Sequence, residues 1–350
     1  MDLTKLSALQ EPEVWNDYLY ERSSETNKFI SSGIMTNDSV LGPRLLQPGR
    51  RVELPYLNDL TGDADEWNDE TDIKTTSLTS GICEAIKLYE TKAYGATDFG
   101  QLISGANVTG QIQDRFSDWW LRLDNQRLIN VLKVMFLNPD IAAAKSVDLG
   151  AEKDFDVNRF LQALSRIGDV DDSITTVAVN SAVAYFWRSK DMIPTKEQST
   201  GQRILTYNGL QVVTDDRIPL SADGKTVIYM FGKGSVSYAS QVPNDGVKVV
   251  RDEFKNGGTT SIINKRVTTM QVLGTTVDET VTSPTTFRND LLSGTKPIYK
   301  PANDMRKINV VAYGCKIPAD FGVKVAQPDD SGKSTPDNKP STPDKSNSGK

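Results

Sequence analysis

Between Gln111 and Asn138 the chain contains no Gly or Pro, and apolar side chains recur at Ile112, Phe116, Trp119, Trp120, Leu123, Val131 and Met135. Steps of three and four residues place such positions along one side of a helix, so this pattern predicts a single helix over 111–138. Asn107 and Thr109 are candidate caps at its start, and Pro139 stands where it should stop. At about 1.5 Å per residue such a helix is roughly 40 Å long, enough to act as a spine.

Upstream, two strand-like segments, Arg51 to Leu57 and Ile82 to Ala93, flank a polar stretch from Asn58 to Ser80. They predict a long two-stranded hairpin. Before it, residues 1–48 are polar, interrupted by Pro12, Gly33, Pro43 and Pro48, with short apolar clusters at Val14/Trp15 and Phe29/Ile30. That composition predicts an extended arm with one or two short helices. Isolated apolar anchors do not bury enough surface to offset the entropy of ordering an arm. It is therefore expected to pack on something else, a neighbouring subunit being the natural choice.

Downstream of the spine, helices are predicted at Val157 to Ile167 and Ala182 to Lys190, with a strand at Ile174 to Val179 between them. From Arg203 onward strand patterns dominate: Gly209 to Val213, Thr226 to Phe231, Val247 to Arg251, Ser261 to Val272 and Lys307 to Ile317, separated by Gly, Pro and Asp turns. The fold class read from this order is α+β. Beyond Ala326 the sequence turns to Pro, Ser, Asp, Lys and Gly, with Ser-Thr-Pro-Asp at 334–337 and again at 341–344. Its four acids are matched by four lysines, so a neutral, solvated, disordered tail is expected there.

Composition narrows the function classes. The 350 residues include no histidine and only two cysteines, Cys83 and Cys315. The commonest general base is absent, and a Cys/His zinc site has no ligands to draw on. No cofactor site is recognisable. With 46 acidic against 40 basic residues the chain lacks the basic excess that sequence-independent phosphate binding uses. The longest apolar run, Leu128 to Leu137, is broken by Asn130 and Lys133, well short of the roughly 18 residues of a membrane span. The N-terminus lacks the basic start and apolar stretch of a secretory signal, which implies synthesis and folding in a cytoplasm. Two cysteines allow one bridge between them, and two free, buried thiols are the expectation preferred to it.

A few clusters invite sharper readings. The hairpin tip is strongly acidic, with Asp59, Asp63, Asp65, Glu66, Asp69, Glu70 and Asp72 against Lys74. It fits a solvated loop, an intersubunit electrostatic contact, or a metal site built on Asp63, Asp65 and Asp69. The calcium-loop pattern fails because Trp67 occupies a ligand position and no glycine follows it. Gly232-Lys233-Gly234-Ser235 resembles a phosphate loop, but position 227 is Val where that motif needs Gly, so a tight turn is expected. Asp215-Asp216-Arg217 follows a strand and precedes Pro219, which fits a strand terminus with a local or interface ion pair. Trp119 and Trp120 point about 100° apart on a helix, so one faces the core stripe and the other is free to meet a subunit interface, unless both are buried.

Local wording adds a resemblance. Phe29-Ile-Ser-Ser-Gly-Ile, Leu54-Pro-Tyr-Leu-Asn-Asp-Leu-Thr-Gly-Asp, Lys92-Ala-Tyr-Gly-Ala-Thr-Asp, Val213-Thr-Asp-Asp-Arg-Ile-Pro and Tyr229-Met-Phe-Gly-Lys-Gly-Ser resemble, in this order, segments of the HK97-like major capsid proteins of tailed bacteriophages. The resemblance covers residues 1–317. It implies an N-terminal arm (1–48), an extended hairpin or E-loop (49–95), a peripheral domain with its spine helix (96–155), an axial domain (156–280), a return to the peripheral domain (281–325) and the tail (326–350).

The resemblance further implies a non-catalytic subunit that assembles with itself as pentamers and hexamers into an icosahedral shell around double-stranded DNA, without sequence-specific DNA binding. The implied partners are a separate scaffolding protein, a portal and accessory head proteins; the implied location is the virion. Asp63, Asp65, Glu66, Trp67, Asp69, Glu70, Asp72, Trp119, Asp215, Asp216 and Arg217 are the candidate intersubunit contacts. A competing reading is a phage tail or surface-attachment protein whose β-rich second half binds a receptor. That reading leaves the arm and hairpin unexplained. A hydrolase is the weakest alternative, since no Gly-x-Ser-x-Gly elbow accompanies the missing histidine.

Overall fold

The computed structural model describes residues 28–37, 41–58, 60, 64, 77–78, 80–104, 108–168, 174–192, 195–197, 203–302 and 304–321. The arm enters as α1 (Lys28–Ser31), β1 (Met35–Asn37) and α2 (Leu41–Leu45). Phe29, Ile34, Leu41 and Leu45 are all buried. Residues 28–48 therefore anchor on their own chain, and for this part of the arm alone the expectation of packing on a neighbour is corrected. Its short apolar clusters are enough because each fills a place prepared by a sheet of the same chain. Residues 1–27, including Val14 and Trp15, and the tail from 326 lie outside the described residues.

The hairpin forms from β2 (Arg51–Leu57) and β3 (Ser80–Ile86), paired antiparallel from Arg51 opposite Ile86 to Leu57 opposite Ser80. Its predicted second strand, Ile82 to Ala93, is in fact two. Lys87 leaves the ladder, its N–H donating to the Arg50 carbonyl at 3.0 Å, and the chain continues as β4 (Leu88–Thr97) in a different sheet. The apolar alternation runs through the break without interruption, so periodicity alone does not reveal it. The tip residues Asp63, Asp65, Glu66, Trp67, Asp69, Glu70 and Asp72 lie outside the described residues.

After α3 (Asp98–Ser104) comes the spine, α4 (Val108–Met135), at 28 residues about 42 Å long. It begins three residues before the predicted 111, which puts Thr109 inside the helix and not at its cap, and it ends three before 138. Phe116, Trp120, Asp124, Leu128, Val131 and Met135 make its buried stripe. Pro139 does more than stop it. Asn138 accepts from the backbone N–H of Asp140 at 2.9 Å and caps α5 (Pro139–Lys145), in which Pro139 takes the first turn, where its missing N–H costs nothing.

The second half supplies β5 (Ser146–Val147), α6 (Val157–Ser165), β6 (Ile174–Val179), α7 (Ser181–Ser189), β7 (Thr195–Glu197), β8 (Arg203–Tyr207), β9 (Leu210–Thr214) and β10 (Lys225–Gly232). It continues with β11 (Val236–Gln241), β12 (Val247–Asp252), β13 (Thr259–Val272), β14 (Thr275–Val277), α8 (Pro284–Ser293), β15 (Tyr299–Pro301) and β16 (Val310–Lys316). Seven of these, β5, β7, β8, β11, β14, β15 and α8, fall where no individual element was predicted. The β11 sequence, Val-Ser-Tyr-Ala-Ser-Gln, is short and half polar, and α8 carries few apolar residues, so neither has a strong period.

A seven-stranded sheet, ordered β5-β16-β10-β6-β9-β8-β7, separates two cores. Along β10, Ile228 and Met230 face one core, with α6 and α7, while Tyr229 and Phe231 face the other, with the spine. Both faces are covered, which is why β10 and β16 read as nearly unbroken apolar runs. The second sheet is ordered β1-β11-β13-β12, with β4 on the opposite side of β13. Strands β11 to β13 join the sheet that carries the spine, and β16 lies beside β10 in the other sheet, because a strand with two apolar faces belongs between two cores.

Candidate intersubunit surfaces and the buried charge cluster

The spine is fastened to its sheet by charges. Arg266 of β13 donates to both oxygens of Asp124 on α4, at 2.7 and 2.8 Å, and its Nε donates to Glu90 of β4 at 2.9 Å. Arg127, one turn along the helix, donates to Asp124 at 3.2 Å and also bonds Glu90. All four side chains are buried. Two guanidinium groups and two carboxylates sum to zero, so the cluster satisfies the requirement that buried charges be paired and hydrogen-bonded. The Trp120 ring lies 4.0 Å from the Arg266 guanidinium carbon, and the Tyr238 hydroxyl on β11 donates to Asp124 at 2.7 Å. Burial first, and then the Asp124 carboxylate, push that hydroxyl up to about 12, so it remains a donor at neutral pH.

This cluster is not among the sites predicted from the sequence. A signal was present: Asp124 stands four residues from both Trp120 and Leu128, in the middle of the apolar stripe, and Arg266 sits inside a strand of β-branched residues. Charges at positions patterned for the core mark a buried pair, but one sequence does not say which of many charges is the partner.

Trp119 and Trp120 differ in burial although their rings touch. Trp120 is buried, while Trp119 is half-buried, contacts the Trp120 ring edge-on at 4.4 Å and lines a groove of about 280 Å³ with Tyr94, Ile112, Arg115, Phe116 and Arg122. Beyond that groove α3 and the β12–β13 turn expose Phe99, Leu102, Ile103 and Phe254.

Asp215, Asp216 and Arg217 form a turn tied to their own chain. Asp215 Oδ1 accepts from the Arg217 N–H at 2.9 Å, and the two side chains approach to 3.7 Å. Asp216 Oδ1 accepts from the Ser181 N–H at 3.2 Å, at the start of α7. Asn180 completes the joint, accepting from Ala182 N–H and donating to the Ile218 carbonyl at 2.9 Å. Asp216 itself remains exposed.

The remaining candidates resolve locally. Gly232 to Ser235 is a tight turn between β10 and β11, with Ser235 N–H donating to the Gly232 carbonyl and Gly234 at φ 66°. Cys315 is buried and Cys83 is half-buried, both as free thiols raised by burial, Cys315 to about 12. Among the described residues no cluster of Cys, Asp or Glu is arranged to hold a metal ion, and no helix is long and apolar enough to cross a membrane.

No family model matches the chain. The major capsid protein of Bacillus phage SPP1 is 26% identical over 328 residues, spanning 91% of this chain and 100% of that protein. The capsid of Ralstonia phage GP4 superposes with a TM-score of 0.60 at 9% identity, over 88% of this chain and 96% of that one. The capsid of cyanophage Pam1 does so with a TM-score of 0.56 at 12% identity, over 88% and 96%. The chain has the α+β HK97-like capsid fold and is a homologue of a phage major capsid protein.

Proposed function

We propose that this chain is the major head subunit of a tailed phage, a structural protein that assembles with copies of itself, as pentamers and hexamers, into an icosahedral shell around double-stranded DNA. The observation that carries the reading is the β2–β3 hairpin. It is paired along its whole described length, yet Leu57, Leu60, Leu78 and Ile82 near its far end are exposed. A ladder whose end exposes apolar side chains gains stability when a neighbour covers them. In this reading the hairpin is the E-loop, and the acidic residues from Asp63 to Asp72 and Trp119 are intersubunit contacts. The scaffolding protein, portal and accessory head proteins are partners, and the chain resides in the virion after assembly in a bacterial cytoplasm. The subunit works by geometry and not by catalysis.

Expression with a cognate scaffolding protein tests this directly. Sedimentation and electron microscopy should show closed shells, and deletion of 59–74 should leave a soluble, folded chain that forms none. A persistent monomer or trimer that binds host envelopes would identify an attachment protein instead.

A further inference from the structure

The foot of the hairpin holds a groove of about 740 Å³, where the segment from Gln47 to Arg50 meets Lys87 and Thr282. Its walls carry Arg44, Arg50, Arg51 and Lys87 against the single carboxylate of Glu53. Some of these cations are held from within. Arg44 donates to the Glu53 carbonyl at 2.6 Å, Arg51 is paired with Glu84, and the buried Lys87 donates to the Gln47 carbonyl at 2.6 Å. The exposed Arg50 guanidinium has no partner among the described residues. Arg50 also borders a second cleft, of about 540 Å³, at the N-terminus of α8, together with Arg288, equally exposed and without a partner among the described residues. The one carboxylate of that cleft, Glu90, is already engaged by Arg127 and Arg266. The two clefts form a surface of unneutralised positive charge on a chain whose net charge is −6.

We propose that this groove, centred on Arg50 and Arg288, receives the acidic hairpin segment 59–72 of a second copy of the chain. That segment carries seven carboxylates, and the first cation after them is Lys74. Trp67, in its middle, adds a ring on which a guanidinium stacks. The geometry favours a second copy over the segment's own groove. The seven paired residues of β2 start at the groove, at Arg51, and carry the chain away from it by about 3.3 Å each. Leu57, the last ladder residue before the acidic segment, therefore stands roughly 20 Å from the foot of its own hairpin, while identical subunits in a shell supply grooves and tips in equal number. Solvent-exposed ion pairs are weak singly, and repetition at every subunit is what gives such a contact force. DNA, the other polyanion available to a shell, is the less favoured occupant, since the cations are confined to one groove and do not form a stripe.

The inference rests on the shell reading, and charge exchange separates the two. In the full-length chain expressed with its scaffolding protein, Arg50→Glu with Arg288→Glu should lower the shell yield by about tenfold or more, because like charges then face each other. Asp65→Lys, Asp69→Lys and Glu70→Lys together should do the same. Neither set should change the melting temperature of the free subunit. The two sets combined in one chain should restore most of the yield.

Normal yield from either reversed set, or no recovery in the combined chain, overturns the contact. Shells that form normally but hold less DNA when the groove is reversed would assign it to nucleic acid. With Arg50→Cys and Asp69→Cys in one chain, a disulfide within the chain in place of one between chains would assign the groove to its own tip. An unmodified chain that forms no shells removes the shell reading itself.

Discussion

Arg266 grips Asp124 with both ends of its guanidinium, at 2.7 and 2.8 Å, across the face where β13 meets the spine. The pair joins the longest strand to the longest helix, and Glu90 and Arg127 close the ring around it. Asp124→Ala leaves two buried arginines facing one carboxylate. The expected loss in subunit stability is about 3–5 kcal/mol, read by denaturant unfolding. Asp124→Leu combined with Arg266→Met restores the balance of charge and should cost less than the sum of the single changes. Additivity of the two would show that the residues act independently.

Trp187 of α7 is fully buried and stacks on Tyr207 with ring centroids 4.2 Å apart, amid Phe155 and Phe160. Trp187→Ala should cost about 3–5 kcal/mol through the cavity it opens. Its indole N–H has no hydrogen-bond partner among the described residues. Trp187→Phe removes that unsatisfied donor while keeping an aromatic ring in the cluster. It should therefore retain more than half of the stability lost by the alanine variant, measured in the same unfolding experiment.

Alkaline pH should loosen the fold. Burial raises Cys315 from its usual 9.0 to about 12, and Tyr313 from 10.0 to about 12. Tyr238 rises to about 12 through burial and the nearby Asp124. Each of these groups is neutral in both states below about pH 9. Above its ordinary value the unfolded chain gives up the proton while the folded chain keeps it, so stability is complete below that value and falls as pH climbs toward 12. For Cys315 the full effect is on the order of 4 kcal/mol, at about 1.4 kcal/mol per pH unit. Unfolding followed at pH 8, 9.5 and 11 should show this decline, and Cys315→Ala should flatten its first part.

Much of the fold was legible because single residues carry strong periods. The spine announced itself through Phe116, Trp120 and Met135, and β6 and β12 lay within a residue of where they were read. The order of elements identified the fold class. What escaped depends on distance in space. Lys87 switches strands without disturbing the alternation around it, and β11 becomes a strand because β1 and β13 lie on either side of it. The candidate sites divide the same way. The acidity of the tip is a property of adjacent residues and was visible, but Arg50, Lys87, Thr282 and Arg288 are far apart in the chain, and only folding brings them to the foot of the hairpin. The ion cluster of Glu90, Asp124, Arg127 and Arg266 was hidden for the same reason.

The turn from Asp215 to Arg217 was a candidate interface, and the bonds around Asn180 give a way to decide its role. Asn180 caps α7 through its oxygen and holds the turn through its amide nitrogen, donating to the Ile218 carbonyl. Asn180→Ala loses both and should cost about 2 kcal/mol or somewhat more, since a cap is worth about 1 and a stranded carbonyl adds to it. Asn180→Asp keeps the acceptor and its favourable place at the helix N-terminus, but sets a carboxylate against that carbonyl, so its cost should fall below that of alanine. Asp216 is exposed and holds only the Ser181 N–H, so Asp216→Ala should cost least of the three. If the turn serves its own chain, shell yield should follow subunit stability through this series. A loss of shells in Asp216→Lys, with subunit unfolding unchanged, would instead assign the exposed carboxylate to a neighbouring subunit.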